Sequence, residues 1–335
     1  MSGAVYELLL RHPHLFDEQT LVIGAGAELA AGWPDLLKNS GSQLLTWDLL
    51  TARAYQAAGA QCRFALPQPD DLARAGRVIL LWPKAKALAL ALTGLIASRR
   101  TQCWIAGAND AGGKSVGKAC QALASSTEKT DSARHCSLWQ LTLNSSTGFN
   151  WLKQAASFPY DGQSYMTLPG VFSHGTLDQG TALLLEHVPA PAHGRLLDLG
   201  CGSGVIGLSM KAREPALDVT LADIDAFAIR SSQLNSARLN LPADILASDG
   251  LADISGSFDY IFSNPPFHLG KDTNYSFARN LFRQGRQHLT MGGQLWIVAN
   301  RHLPYEEWAQ EEFADVQILA QENGFKLLCI QNQSR

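Results

Sequence analysis

The chain has 335 residues, 46% of them hydrophobic, six cysteines and a formal net charge of −3. That length suits two domains, and with a mean hydropathy of −0.05 and no apolar run near the ~20 residues of a membrane helix, it predicts a soluble protein with no membrane partner. Cys62, Cys103, Cys120, Cys136, Cys201 and Cys329 are scattered without a C-x-x-C pair, and residues 1–11 carry no signal-peptide pattern. Reduced thiols, no metal site and a cytoplasmic location follow as expectations.

Along the chain, Leu21-Val22-Ile23-Gly24-Ala25-Gly26 is a short apolar run entering a glycine turn. Val78 to Leu81 reads as a strand ending at Trp82-Pro83-Lys84, and Trp104-Ile105-Ala106-Gly107-Ala108-Asn109 as another. The same three signals return in order at Leu197 to Gly202, Tyr260 to Phe267 and Trp296 to Asn300, displaced by about 175, 182 and 192 residues. So long a period predicts two whole domains of one kind, not a solenoid. The copies are chemically unequal. Asp198 stands where the first has Val22, Gly204 where it has Glu28, and the first has no Asn-Pro-Pro. The first domain is therefore expected to keep the fold and lack the small-molecule site.

Charge divides between the halves as well. Residues 1–160 carry 15 Lys+Arg against 11 Asp+Glu, and residues 161–335 carry 12 against 19. The first half is thus the one suited to a polyanion, ordinary surface variation being the plain alternative. The stretch 144–162 is polar and Gly/Ser-rich with Pro159, and reads as a connection. The expected boundaries are 1–145 for a degenerate domain, 146–165 for a linker and 166–335 for the domain that carries the chemistry.

In the second half, strand-type runs at 195–199, 219–223, 244–247, 260–263, 294–299 and 326–331 alternate with helical stretches at 205–212, 226–239 and 275–289. Such alternation predicts an α/β fold of the Rossmann-like kind, with a mostly parallel sheet and helices on both faces. Asp198-Leu199-Gly200-Cys201-Gly202-Ser203-Gly204 follows the first strand and opens a helix, where glycines let the backbone turn and a ligand approach. Asp223 ends the next strand, followed by Ile224, and is placed for ribose hydroxyls. Asp249, before Gly250, ends the third and is placed for an adenine amine. Gly202-x-Gly204-x-x-Gly207 also fits a dinucleotide fingerprint, so a hydride-transfer enzyme is an alternative. Against it, a carboxylate two residues before the glycines repels a pyrophosphate and pairs with an ammonium, which favours S-adenosylmethionine. A helix cap, a turn residue and a loop acid are the structural alternatives for Asp198, Asp223 and Asp249.

Ser263-Asn264-Pro265-Pro266-Phe267-His268 follows a strand. The prolines hold the peptide extended and remove backbone donors, so the Asn264 side-chain oxygen and the Pro265 carbonyl form a rigid acceptor pair beside the Phe267 ring. That combination suits a planar NH2 group.

These motifs resemble those of class I S-adenosylmethionine-dependent methyltransferases acting on an NH2 group. Asp131 to Cys136, Leu168-Pro169-Gly170-Val171-Phe172-Ser173 with Leu177-Asp178-x-Gly180, Asn264 to His268 and Ile297 to Asn300 together resemble the ribosomal RNA small-subunit methyltransferase C family. The resemblance spans both domains. It implies methylation of a guanine N2 in 16S rRNA, naked or within an assembled small subunit, by a monomer with two tandem seven-stranded methyltransferase-like domains, the first degenerate. It also implies cofactor contacts at Phe172, Asp198, Gly200, Cys201, Gly202, Gly204, Asp223, Ile224, Asp249, Gly250 and Asn264, with Asn264, Pro265, Pro266 and Phe267 at the reacting amine and the segment around Phe172 covering the cofactor pocket. Two departures stand out. Asp249 replaces the family's Asn, and Arg301-His302 is closer to the sister family acting on 23S rRNA, which shares Asn-Pro-Pro-Phe-His.

Arg279, Arg283 and Arg286 fall at i, i+4 and i+7 on the following helix and make a basic stripe that tracks phosphates in one reading and is a solvated face in the other. His268, Lys271 and Arg301 complete the candidate RNA contacts. Alternatives of other kinds are an adenine N6 or protein glutamine methyltransferase, which use Asn-Pro-Pro followed by Phe or Tyr, and a non-catalytic RNA-binding scaffold.

Overall fold

In a computed structural model of the chain, the residues described are 3–24, 26, 29–265 and 271–333, the side chains of 271–277 excepted. They form two compact units that meet in the chain at Ala155 and Ala156.

The first unit holds β1 (Thr20–Ile23), β2 (Gln43–Thr46), β3 (Gln61–Phe64), β4 (Arg77–Leu81), β5 (Gln102–Ala108), β6 (Ala124–Ala133) and β7 (Cys136–Leu143), with helices α1 (Gly3–Leu10), α2 (Trp33–Ser40), α3 (Leu49–Ala57), α4 (Pro69–Ala73), α5 (Lys86–Ala97) and α6 (Val116–Ala119). Its sheet runs β3-β2-β1-β4-β5-β7-β6, parallel through β5, with β7 antiparallel between β5 and β6. The second unit opens with a hairpin, β8 (Ala156–Tyr160) and β9 (Gln163–Thr167). It continues through α7 (Gln179–His187), β10 (Gly194–Leu199), α8 (Val205–Arg213), β11 (Leu217–Asp223), α9 (Ala226–Leu239), β12 (Asp244–Ala247), β13 (Phe258–Ser263), α10 (Lys271–His288), β14 (Leu289–Asn300), α11 (Tyr305–Gln310), β15 (Asp315–Glu322) and β16 (Phe325–Gln331). Its order, β12-β11-β10-β13-β14-β16-β15, repeats the first sheet strand for strand. The expected pair of seven-stranded α/β domains is what forms.

The strands at the centre of the second sheet are apolar on both sides, as a parallel sheet covered on two faces requires. Leu197 and Leu199 of β10 enter a core with Phe282 of α10 and Tyr305 of α11. Leu196, on the opposite face, joins Leu184 of α7 and Leu208 of α8. Asp198 shares that second face and is fully buried, so its carboxylate needs an explanation other than solvent.

Two expectations need correction. The stretch 146–165 is not free linker. A 3-10 turn at Trp151–Gln154 is held by Trp151 Nε1 donating to the Pro67 carbonyl at 2.7 Å, and β8 and β9 send Phe158 and Tyr165 into the core of the second unit. The abundance of small polar residues hid those two rings. The edge strand β15 was not anticipated either, because its residues are mostly exposed and show no apolar alternation.

The two glycine turns share one hydrogen bond and differ in the next. Gly24 N donates to the Leu45 carbonyl at 2.9 Å, and Gly200 N to that of Ala222 at 2.8 Å. Gly202 N then donates to Asp223 Oδ2 at 2.9 Å, whereas Gly26 N donates to the hydroxyl of Tyr6 at 2.8 Å. Tyr6 comes from α1 and is fully buried, so an internal phenol closes the turn that the second unit leaves lined by acids. Glu28, expected to interrupt the first turn, lies outside the described residues. Tyr6→Phe removes the acceptor from Gly26 N–H and is expected to lower stability by about 1–3 kcal/mol, read as a shifted urea midpoint. An unchanged midpoint would mean that water satisfies that donor.

Candidate active site

β10 and β13 are neighbours in the sheet, yet the chain leaves β10 toward β11 on one side and returns at β13 on the other. Connections diverge at such a point and leave a crevice outside the carboxyl ends of the strands. The turn 199–204 leaves β10 there, Asp223 ends β11, Ser248-Asp249-Gly250 follows β12, and Asn264-Pro265 follows β13. The sheet thus brings the sequence-predicted acids and the amide to one edge.

Gly200, Gly202 and Gly204 have φ of 72°, 55° and 76°, the left-handed region that only glycine enters freely. A Cβ at Gly200 would point into open space, while one at Gly204 would meet Leu221 and Ser232 at 3.0 Å. Gly204 is the N-cap of α8 and has no side chain to cap it. Asp198 supplies that bond, its Oδ2 accepting from Gly207 N at 2.9 Å, in the manner of an N-cap carboxylate. Asp198 Oδ1 is buried with no hydrogen-bond partner. The expected carboxylate aimed into a pocket is thus corrected: Asp198 lies beneath the turn, one oxygen bonded to the helix and the other still lacking a donor. Burial pushes its carboxyl up to about 7, the Gly207 N–H opposing this and nearby Asp223 adding to it.

Asp223 is half-buried, accepting from Gly202 N with Oδ2 at 2.9 Å and from Asp225 N with Oδ1 at 3.0 Å. Ile224 beside it is half-buried too. At the next strand end, Ser248 Oγ donates to the Gly250 carbonyl at 2.7 Å and Asp249 N to Asp253 Oδ2 at 3.2 Å. Gly250 has φ 55°, with open space where a Cβ would be. The Cys201 side chain does not face the crevice. It is buried in the core with Sγ 3.4 Å from Ser232 Oγ, and burial raises its thiol well above the usual value. Only its backbone borders the turn.

The segment carrying Phe172 is held over the glycine turn by residues the sequence reading passed over. Asn235 on α9 accepts from Met166 N at 2.8 Å and donates from Nδ2 to the carbonyls of Met166 at 2.8 Å and Ser203 at 2.9 Å. Ser231 Oγ accepts from Leu168 N at 3.0 Å, and Ser232 Oγ donates to the Gly202 carbonyl at 3.0 Å. Val171 comes within 3.9 Å of a Cβ built on Gly202, and Phe172 next to it is 53% exposed. The available signal was three polar residues on one buried face of an otherwise ordinary helix.

Asn264 has the most constrained polar side chain of the site. Its Nδ2 donates to Asp178 Oδ2 at 2.7 Å and to Thr181 Oγ1 at 2.9 Å, so both amide protons are engaged. Its Oδ1 is buried and has no partner. The reverse amide orientation would set an oxygen against the Asp178 carboxylate, so the network fixes which atom faces the crevice. In the second unit, among the described residues, the two buried side-chain atoms lacking a partner are Asp198 Oδ1 and Asn264 Oδ1. Both are acceptors, and they stand at the ends of adjacent strands.

Pro265 is buried, while Pro266, Phe267 and His268 and the side chain of Lys271 lie outside the described residues. The expected arginine stripe is partly engaged within the unit. Arg279 pairs with Glu311 at 3.1 Å, Arg286 donates to the Glu312 carbonyl at 2.6 Å, and Arg283 donates to Asn280 at 3.0 Å. Arg279 and Arg286 thus tie α10 to the segment after α11, while exposed Arg283 bonds within α10. Arg301, just past β14, is exposed.

A seven-stranded sheet with one antiparallel strand, a glycine turn at the switch point and acids at successive strand ends define a class I methyltransferase fold, and the first unit repeats its sheet and turn without the Asp198 carboxylate. Residues 163–329 match the family model "Methyltransferase small domain" and residues 6–155 match "Methyltransferase small domain N-terminal". Ribosomal RNA small subunit methyltransferase C of Pseudomonas entomophila is 37% identical over 333 residues, covering 96% of this chain and 97% of its own. Its namesake from Pseudomonas syringae pv. tomato is 38% identical over 331 residues with the same coverage. The solved T. thermophilus 16S rRNA N2 G1207 methyltransferase, in complex with AdoMet and guanosine, superposes with a TM-score of 0.81 at 26% identity over 98% of this chain and 92% of its own. The chain belongs to the ribosomal RNA small subunit methyltransferase C family.

The buried Asp198 carboxyl carries a pH prediction. With an unfolded value of 3.8 and a folded value of about 7, the folded state binds this proton more tightly. Its contribution to the stability of the ligand-free protein therefore falls as pH rises through that window and is constant on either side. Asp198→Asn is expected to flatten the dependence, measured as denaturation midpoints at about pH 4.5 and 7.5. An equal slope in the variant would assign the dependence to another group.

Proposed function

We propose that this protein transfers a methyl group from S-adenosyl-L-methionine to the exocyclic N2 of a guanine in 16S rRNA. The observation that carries the reading is Asn264, whose amide protons are both bonded within the protein while its buried oxygen has no donor. Such an atom is costly to leave unpaired, and an incoming N–H group satisfies it.

The cofactor fits the residues of the crevice. S-adenosylmethionine offers an ammonium, ribose hydroxyls and an adenine amine and carries no phosphate, and the strand ends offer acceptors. Gly200, Gly202 and Gly204 would line it through backbone atoms, with the backbone of Cys201 among them. Asp223 would take the ribose hydroxyls, Asp249 the adenine amine, and Ile224 and exposed Phe172 would contact its flat faces, while Asp198 Oδ1 waits beneath the turn for a donor. When bound, the cofactor supplies an electrophilic methyl on a positively charged sulfur.

Guanine N2 is a weak nucleophile because its lone pair is delocalised into the ring. Asn264 Oδ1 accepts one of its N–H groups and the Pro265 carbonyl the other, which turns the lone pair out of conjugation. Pro266 restricts the backbone after that carbonyl and brings no N–H of its own. Phe267, outside the described residues, is assigned the stacking face. A strong general base is unnecessary, because the nitrogen becomes acidic only after transfer, when its proton passes to water or to these acceptors. The residues act by orientation and electrostatics. A base within a helix must be extruded to reach them, and exposed Arg301, just past β14, is the favoured phosphate contact, with His268 and Lys271, between β13 and the body of α10 in the sequence, as further candidates. The protein would act as a cytoplasmic monomer on rRNA, within an assembled small subunit where the target is presented there.

Asn264→Ala is expected to lower kcat by about 100-fold or more, roughly 3 kcal/mol, with the dissociation constant for S-adenosylmethionine within about threefold. Equal loss of cofactor binding and rate would remove Asn264 from the chemistry. Mass mapping of rRNA from a deletion strain tests the acceptor. The expected result is one unmodified guanine in 16S rRNA, restored by the wild type and not by Asn264→Ala, and a change confined to 23S rRNA would refute it.

A further inference from the structure

We propose that Asp178 is the positioning residue for Asn264: its carboxylate sets which atom of the amide meets the substrate amine and strengthens that atom as an acceptor. The inference rests on the function assigned to Asn264 above. Asp178 Oδ2 accepts two hydrogen bonds at once, from Thr181 N at 2.9 Å as the N-cap of α7 and from Asn264 Nδ2 at 2.7 Å. The first bond fixes the carboxylate on the helix, and the second carries that fixed direction to a residue 86 positions along the chain. Thr181 Oγ1 takes the remaining amide proton at 2.9 Å.

The carboxylate has little freedom to move. A Cβ on Gly180 would lie 3.1 Å from Asp178 Oδ2, 2.8 Å from Val298 and 3.2 Å from Phe325, so the backbone of α7 sits directly against β14 and β16 beneath it. A cap alone needs no such seat, since Ser or Thr caps a helix as well as Asp. What Asp adds is reach to Asn264 and a negative charge. An amide that donates to a carboxylate draws electron density onto its own oxygen, and linked hydrogen bonds strengthen one another in a low-dielectric site. The oxygen so strengthened is the buried, unpaired Asn264 Oδ1. Asp178 touches neither substrate nor cofactor in this account and acts wholly through Asn264.

The test measures kcat, cofactor dissociation constant and thermal midpoint for Asp178→Ser, Asp178→Asn, Thr181→Val and Asn264→Ala, and for double variants with Asn264→Ala. Asp178→Ser keeps a capping oxygen and loses the reach to Asn264. It is expected to lower kcat by about 30-fold or more with cofactor affinity within about threefold of wild type. Asp178→Asn still offers an oxygen to both N–H groups and is expected to recover to within about tenfold of the wild-type kcat. Because both residues act on one atom, the double variant should be no more than about twofold slower than Asn264→Ala alone. Thr181→Val leaves the cap intact, so it tests the same coupling should Asp178→Ser not fold. It is expected to slow kcat severalfold, again without multiplying the effect of Asn264→Ala. A wild-type rate for Asp178→Ser beside a slow Asn264→Ala overturns the positioning role alone, as do fully multiplicative double variants. A wild-type rate for Asn264→Ala overturns the assigned function and this inference together.

Discussion

The orientation of one amide depends on two acceptors that enter from a helix far upstream. Asp178 and Thr181 reach Asn264 across 86 and 83 residues of chain, and nothing local to Ser263-Asn264-Pro265 specifies that meeting. The sheet supplies it. Ser263 Oγ donates to the Leu199 carbonyl at 2.8 Å and ties the ends of β13 and β10 together. Leu183, Leu184 and Leu185 of α7 lie in the same core as Val298 of β14 and Leu327 of β16. The amide is therefore aimed by a hydrophobic core, and under the proposed function side chains in that core would affect the rate without touching a substrate. Close-packed interiors transmit small shifts in this way.

The duplicated first unit shows what the site costs. At equivalent points of the same turn, the second unit buries a carboxylate with an unpaired oxygen and the first buries Val22. Burial of an ionisable group without full pairing is unfavourable, and the raised value of about 7 for Asp198 expresses that. The first unit also closes its turn with the Tyr6 hydroxyl. Two copies of one backbone have thus diverged at this turn, one closing it with a phenol and the other leaving Asp198 Oδ1 unpaired beneath it. Acceptors of that kind lower stability and accompany function.

The parts of this architecture that were legible in the sequence are those whose physics is local. Left-handed glycines at 200, 202 and 204 announce their backbone by composition alone, and the repeated order of three short signals disclosed the duplication. The parts that were not legible are tertiary. The spacing of Arg279, Arg283 and Arg286 identifies a helix face correctly but says nothing of what that face packs on, and Glu311 and Glu312 arrive from a later segment. Ser231, Ser232 and Asn235 resemble any polar helix residues until their partners are known. The hairpin of β8 and β9 was concealed because two buried rings, Phe158 and Tyr165, sit among small polar neighbours.

The chemical character of the crevice constrains how a nucleic acid can use it. Asp223, Asp249 and Asn264 stand as acceptors at the strand ends, with Asp198 buried beneath the glycine turn, a set that welcomes ammonium, hydroxyl and amine groups and repels phosphate. An RNA backbone cannot lie in such a crevice. Under the proposed function the base alone would enter and its phosphates would stay outside, where Arg301 is exposed at the adjoining strand end. Separation of this kind lets one edge of a sheet serve a cationic cofactor and a polyanionic substrate together. On that reading an extruded base is the form of substrate that suits the site, because it brings its amine to the acceptors while its phosphates stay away from them.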